Sequence, residues 1–401
     1  MSEKNIQVYG YRWIVLVLFM FANIVMQFLW ISYAAVSASA ALYYGQELIM
    51  IDLLSLTFMV VYIPVTFISA WVLDKYDFRI GAGIGALLAG IFGLLRFFAF
   101  NNYSLVLIFQ IGIAVGQPFI LNAVTKLSAN WFPEDERTMA TGLALLSQFL
   151  GIAICMVLSP VLVIGSDLGA LNLVYGIIAL IAGVLFVIFV KDRPPTPPST
   201  EISTEKVMMT EGLKALLKNK QFVILTVGFL ILLGIFNTVL TLILQIVSPR
   251  GHGEDFAGTL GGLILVGGII GSIVFSGLSD KLKKRKILII IALTISVVSI
   301  YIISFVSDAT MLSIFGFLFG FGILGAAPVA LEFAVDITKP VPEASSNGML
   351  MMFGQIGGIV FILGLADLTL PPNNDLLPAL IIQAVLFTIT LILFVLFIKE
   401  E

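Results

Sequence analysis

Ser147-Gln148-Phe149-Leu150-Gly151-Ile152 is echoed by Gly354-Gln355-Ile356-Gly357-Gly358-Ile359, with the second glutamine 207 positions after the first. Each glutamine lies near the middle of a long apolar run. An amide there carries donors and an acceptor that hydrocarbon leaves unsatisfied. Either another helix hydrogen-bonds it, a contact worth about 0.6 kcal/mol on average in membrane proteins, or a solute does. The same offset carries Trp30 onto Asn237, and both are deep in apolar runs. Trp30, Gln148, Asn237 and Gln355 therefore form two repeat-related pairs. An indole face attracts a cation, and amide oxygens accept from ammonium or hydroxyl groups. No carboxylate accompanies the set, so it suits a soft, weakly hydrated cation or a neutral polar solute. Ordinary packing of Trp30 is the alternative.

The elements that must position these residues are helices in lipid. The chain has 401 residues, 60% of them hydrophobic and only 11% charged, with a mean hydropathy of +1.11. Soluble domains carry about 25% charged residues. Twelve apolar runs are long enough to cross a bilayer: 11–36, 49–73, 80–100, 103–130, 137–163, 169–190, 221–247, 257–279, 286–306, 309–337, 343–366 and 376–398. No strand-like alternation is present, and lipid admits only helices or closed barrels. The first run is too long for a cleavable signal and reads as a span. The four candidate residues fall on spans 1, 5, 7 and 11.

Positive charge is placed asymmetrically. Of 21 Lys and Arg, 18 fall on one side of this twelve-span arrangement, Arg96 and Arg250 fall on the other, and Lys126 lies within span 4. The positive-inside rule then puts both termini in the cytoplasm. Cys155 is alone, which excludes a disulfide or a cysteine-based metal site, and His252 reads as a polar residue of an external loop. No cofactor, metal or nucleic-acid partner is expected. No nucleophile–base pair suggests an enzyme.

The longest polar stretch, 191–220, separates six spans from six. It opens with the stiff Lys191-Asp192-Arg193-Pro194-Pro195-Thr196-Pro197-Pro198 and then offers a candidate amphipathic helix over 211–218. The expected organisation is an N-terminal bundle over 1–190, a cytoplasmic linker over 191–220 and a C-terminal bundle over 221–401. The halves repeat. Asp74-Lys75-Tyr76-Asp77-Phe78-Arg79 between spans 2 and 3 matches Asp280-Lys281-Leu282-Lys283-Lys284-Arg285 between spans 8 and 9, with the leading aspartates 206 apart. All other loops are too short for a soluble catalytic domain.

Charges inside lipid cost roughly 3 kcal/mol on insertion scales and need a reason. Asp52 begins span 2, where a carboxylate can cap free amides. Lys126 is placed to pair with Asp74 and hold a cytoplasmic gate, together with Arg79. Glu332 and Asp336, four residues apart on span 10, share one face. They read as partners of Lys281, Lys284 or Arg285, with Asp280 in the same loop, or alternatively as a proton relay.

Two parallel six-helix repeats joined by a linker, with the acidic loop motif, resemble the major facilitator superfamily. That resemblance implies an all-α membrane protein of twelve spans in two pseudo-symmetric bundles, with a substrate site at the repeat interface. Asp77 stands where that superfamily's loop usually has glycine. Closer likeness lies in Phe28-Leu29-Trp30-Ile31-Ser32-Tyr33, Ile51-Asp52-Leu53-Leu54-Ser55, Gln148-Phe149-Leu150-Gly151-Ile152-Ala153-Ile154 and Leu331-Glu332-Phe333-Ala334-Val335-Asp336. These stretches resemble the feline leukaemia virus subgroup C receptor family of choline, ethanolamine and reported heme transporters. The resemblance implies that Trp30 packs on an ammonium group and that Gln148 and Gln355 line the pocket. It also implies a tyrosine on span 7, where this chain has Asn237; losing that wall should weaken quaternary ammonium binding by about 0.5–2 kcal/mol. No histidine lies in a span, so heme handling is not expected.

The expectation is thus an alternating-access transporter of a small amine by facilitated diffusion. It would act as a monomer in the cell membrane, with a small-molecule substrate and the lipid bilayer as partners. A proton-coupled exporter using Glu332 and a membrane receptor without flux are the rivals.

Overall fold

A computed structural model of the protein describes residues 8–163, 165, 167–196, 216–282, 284–338, 341, 343–365, 368–370 and 375–398. Within these, the side chains of residues 74, 134, 135, 138, 280 and 343–345 lie outside the description. The candidate amphipathic helix at 211–218 falls mostly outside it; residues 216–218 are helical.

Among the described residues, twelve helical segments are long and apolar enough to cross a bilayer. Spans 1 to 6 are Tyr11–Ile31, Leu48–Leu73, Lys75–Phe98, Tyr103–Trp131, Met139–Leu162 and Gly169–Phe189. Spans 7 to 12 are Lys220–Thr241, Glu254–Ser279, Arg285–Phe305, Ala309–Thr338, Ser346–Leu365 and Leu377–Phe397. The chain divides into two compact units, one of Met1–Tyr33 with Ser37–Thr204 and one of Ala34–Val36 with Glu205–Glu401.

In the first unit, small residues let helix backbones approach closely, as membrane interfaces favour. A Cβ on Gly85 would meet the Gly116 carbonyl at 2.6 Å, joining spans 3 and 4, and one on Gly176 would meet Leu94 Cα at 2.7 Å, joining spans 6 and 3. Asn102 caps span 4 by accepting from the Leu105 amide at 3.1 Å. Two features differ from the sequence expectation. Span 1 stops at Ile31 instead of running to 36; a turn over 32–36 leads to a short helix, Ser37–Tyr44. Spans 2 and 3 are separate helices, as expected, broken by the non-helical backbone of Asp77. Span 4 is interrupted at Asn122 and Ala123, just past Pro118, before resuming as Val124–Trp131.

In the second unit, Asn219 caps span 7 by accepting from the Gln221 and Phe222 amides at 3.0 and 3.2 Å. Its Nδ2 donates to the Ile337 carbonyl at 2.7 Å, which fastens span 7 to the end of span 10. Glycines 267, 271 and 320 set span 8 against span 10 with no room for a Cβ. Arg250, in the 3-10 turn Ser248–Arg250, caps span 9: its guanidinium donates to the carbonyls of Ile303, Val306 and Ser304 and lies 3.9 Å from Asp375. Burial lowers its pKa from the usual arginine range, with Asp375 opposing. His252 Nε2–H donates to the Ser307 carbonyl at 2.7 Å, as a satisfied polar loop residue does.

Candidate functional site

Trp30 is the second-last residue of span 1 and is only 7% exposed. Its Nε1–H donates to the Ser55 carbonyl on span 2 at 3.2 Å, and Ser55 Oγ donates back to the Trp30 carbonyl at 3.3 Å. This reciprocal pair fixes the indole edge and consumes its donor. A solute can meet Trp30 only through the ring face, the part that attracts a cation.

Gln148 is half-buried on span 5. Spans 1 and 5 pack tightly beside it. Asn23 Nδ2 donates to the Ala144 carbonyl and to Ser147 Oγ, both at 3.0 Å. A Cβ on Gly151 would meet the Ile24 carbonyl at 2.5 Å. In the second unit, Asn237 is buried on span 7 and Gln355 is half-buried on span 11. Among the described residues, Gln148, Asn237 and Gln355 have no hydrogen-bond partner, so the helix-to-helix bond that could explain a buried glutamine is not made.

The packing corrects the pairing between halves. Gly151 abuts Ile24, and Gly357 abuts Leu230 in the same manner. These contacts are related by an offset of 206, the offset of Asp74 and Asp280, and not by 207. On that register Trp30 answers to Phe236 and Gln148 to Gly354. Asn237 and Gln355 stand one residue, roughly 100°, further round their helices.

The charged residues expected at the gate contribute to two clusters, one in each unit. In the first, Asp77 takes φ 69° and ψ 173°, a region essentially reserved for glycine. Its Oδ1 lies 2.6 Å from Arg193 Nη2 and 3.7 Å from Lys126 Nζ. Lys126 also donates to the Leu73 carbonyl. Asp77 is thus a described partner of Lys126; the expected pairing with Asp74 lies outside the described side chains. Hydrogen bonding to Asp77 raises the Arg193 pKa. Arg79 donates from Nη2 to the Val187 carbonyl at 2.9 Å, and its backbone amide donates to Asp192 at 3.1 Å. In the second cluster, Arg285 pairs with Glu332 at 3.3 Å and with Asp336, bridging the two acids that share a face of span 10. Of the three cations expected there, Arg285 is the one these pairs identify.

Two charged residues sit differently from expectation. Asp52 is 2% exposed and sits in the second turn of a helix that begins at Leu48. That is one residue past the first turn, whose four amides lack an intrahelical acceptor. Arg96, expected outside the membrane, is completely buried at the end of span 3. Nη1 donates to the Leu29 carbonyl at 3.2 Å, Ser32 Oγ at 3.1 Å and Gln110 Oε1 at 2.9 Å. Its guanidinium carbon lies 5.2 Å from the centre of the Tyr33 ring. Sequence reading missed it because an arginine at a span end is ordinarily assigned to water; an arginine within two turns of a glutamine-bearing span was the only signal.

Among the described residues, no group of three or more His, Cys, Asp or Glu could hold a metal ion. Comparison with known proteins gives a consistent picture. The family model described as Major Facilitator Superfamily matches residues 13–362 and 250–401. Solute carrier family 49 member A3 of Xenopus tropicalis is 32% identical over 92% of this chain and 80% of its own length. The choline/ethanolamine transporter FLVCR1 of Felis catus is 31% identical, covering 89% of this chain and 68% of its own. Among solved structures, the nucleoside transporter NupG superposes with a TM-score of 0.73 at 13% identity, covering 96% of this chain and 100% of its own. A bacterial homologue of the human lysosomal transporter Spinster does so with a TM-score of 0.70 at 12% identity, covering 97% of each chain.

Proposed function

We propose that this chain, which belongs to the major facilitator superfamily, is an alternating-access transporter of a small choline- or ethanolamine-like amine moved by facilitated diffusion. The observation that carries the reading is the set of three span amides, Gln148, Asn237 and Gln355, that no described residue hydrogen-bonds. Their amide atoms keep some exposure, so their donors and acceptors are available to a polar solute. Trp30 supplies the cation-facing ring, since its own N–H is occupied by Ser55. Relatives named choline/ethanolamine transporters support an amine over a sugar or an acid. Asn237 in place of the tyrosine expected from the family favours a less bulky or more polar head group than a quaternary ammonium.

The Asp77–Lys126–Arg193 and Arg285–Glu332–Asp336 clusters act as latches on the side we assign to the cytoplasm; Asp74, Arg79 and Asp280 belong to the same loops. Arg285 holds both acids of span 10, which favours a latch over a proton relay. We assign both termini to the cytoplasm and the protein to the cell membrane as a monomer.

Thermal unfolding of the purified protein with choline, ethanolamine, other amines and neutral polyols tests this. A substrate at 100 times its Kd adds about 2.7 kcal/mol. Stabilisation by an amine should vanish in Gln148→Ala. Trp30→Ala should lose saturable uptake at unchanged protein level. Stabilisation by polyols alone would overturn the amine assignment, and substrate-dependent proton movement in vesicles would overturn uncoupled transport.

A further inference from the structure

A helix that ends inside a bundle exposes its last four carbonyls to hydrocarbon. Span 1 ends this way at Ile31, in the sequence Ile31-Ser32-Tyr33-Ala34-Ala35-Val36, which contains neither proline nor glycine. Ser32 Oγ donates locally to the Leu29 carbonyl at 3.4 Å. The carbonyls of Phe28, Leu29 and Trp30 are also taken by side chains from four other spans. Cys155 of span 5 donates to the Phe28 carbonyl at 3.5 Å. Arg96 of span 3 and Gln110 of span 4 both donate to the Leu29 carbonyl, at 3.2 and 3.0 Å. Ser55 of span 2 donates to the Trp30 carbonyl at 3.3 Å.

Arg96 and Gln110 act as one unit. Gln110 Oε1 accepts from Arg96 Nη1 while Gln110 Nε2 donates to the same carbonyl as Arg96. Arg96 is 0% exposed, and its Nε and Nη2 have no hydrogen-bond partner among the described residues. No described carboxylate forms an ion pair with it. A buried arginine with unused donors is an expensive way to hold a fold together, since an apolar side chain of similar volume would serve as well or better. Such a charge in a span is functional by default.

We infer that Arg96, with Gln110, is a positioning residue: it clamps the Leu29 carbonyl, sets the point where span 1 stops, and so orients the indole of the next residue, Trp30. The inference rests on the reading that Trp30 lines the substrate site. The clamp acts through the backbone, since Leu29 O and the Trp30 amide belong to one planar peptide unit. Arg96 itself does not touch the solute.

The test has a ligand-free arm and a transport arm. In a variant with Trp13, Trp71 and Trp131 replaced by phenylalanine, Trp30 is the only remaining indole. Adding Arg96→Met should red-shift its emission and raise its quenching by acrylamide about twofold, as the indole leaves its buried site. Gln110→Leu, which keeps the charge and removes one donor, should shift it in the same direction by less. Arg96→Lys, a single-point donor, should restore part of the native spectrum. In uptake assays, Arg96→Met should raise KM about tenfold with Vmax nearly kept. Its effect should not add to that of Trp30→Phe, because coupled residues share one loss.

An unmoved Trp30 spectrum in folded Arg96→Met or Gln110→Leu protein would overturn the clamp, as would strictly additive effects on KM. If Arg96→Met does not fold, the Gln110→Leu and Arg96→Lys spectra decide. A shifted spectrum with wild-type uptake in Trp30→Phe would keep the clamp and sink the role given to Trp30 in transport.

Discussion

Asp77 presents its carboxylate to Arg193 at 2.6 Å from a backbone conformation that ordinarily belongs to glycine. The two facts pull in opposite directions. Holding a non-glycine residue there costs about 1–3 kcal/mol. An ion pair between partners 41% and 60% exposed returns about 0–1 kcal/mol. The position therefore loses stability on balance, and the carboxylate must be retained for something other than stability. Asp77→Gly should raise the unfolding midpoint while lowering the maximal uptake rate. Calorimetry beside uptake kinetics would check this; a stabilised variant with unchanged transport would remove Asp77 from the latch.

Arg285 should behave as a kinetic residue. Its pairs with Glu332 and Asp336 are partly exposed, so Arg285→Ala should cost less than about 1 kcal/mol of stability. It leaves two like charges on one helix face without their cation. Vmax should fall several-fold with KM nearly unchanged, measured at matched surface expression. A raised KM with intact Vmax would mean that Arg285 meets the solute.

Gly151 and Gly142 make a paired test on one helix. A Cβ at 151 collides with the Ile24 carbonyl, whereas one at 142 meets nothing within 4 Å. Gly151→Ala should destabilise by about 1–3 kcal/mol through overpacking. Gly142→Ala should be neutral or stabilise by up to about 1 kcal/mol, since alanine is the better helix former. Thermal unfolding of the two variants side by side settles the contact.

Arg250 serves the fold rather than the solute. Its side chain closes the end of span 9 through three carbonyls. Arg250→Ala should cost about 1–3 kcal/mol, and Arg250→Lys should recover part of it. Substrate affinity in the folded fraction should match the native protein.

The spans were legible because length and apolarity in lipid leave few other structures, and Leu48–Leu73 or Leu377–Phe397 could be read almost to their ends. The chemistry at the helix ends was not. Span 1 stops at Ile31 where its carbonyls meet donors 25 to 127 positions away in sequence, on Ser55, Arg96, Gln110 and Cys155, beside the local Ser32 hydroxyl, and no local signal marks the distant ones. Charge counting placed Arg96 in water because it weighs residues by loop and cannot see a side chain turned inward. The Asp77 conformation was foreshadowed only by the glycine usual at that place in the resembling superfamily. The repeat was readable to within one residue, yet that residue rotates Asn237 and Gln355 by a quarter turn or more.

The contact at Gly151 has a kinematic meaning. Ile24 lies less than two turns before Trp30, and Gly151 lies one turn after Gln148, so the two helices touch with no slack between the residues of interest. Cys155 adds a second tether at Phe28. Spans 1 and 5 are therefore held against each other at two levels, Ile24 with Gly151 and Phe28 with Cys155. On the transport reading proposed above, the two helices would travel as one piece, and release of a solute held by both would come from movement elsewhere.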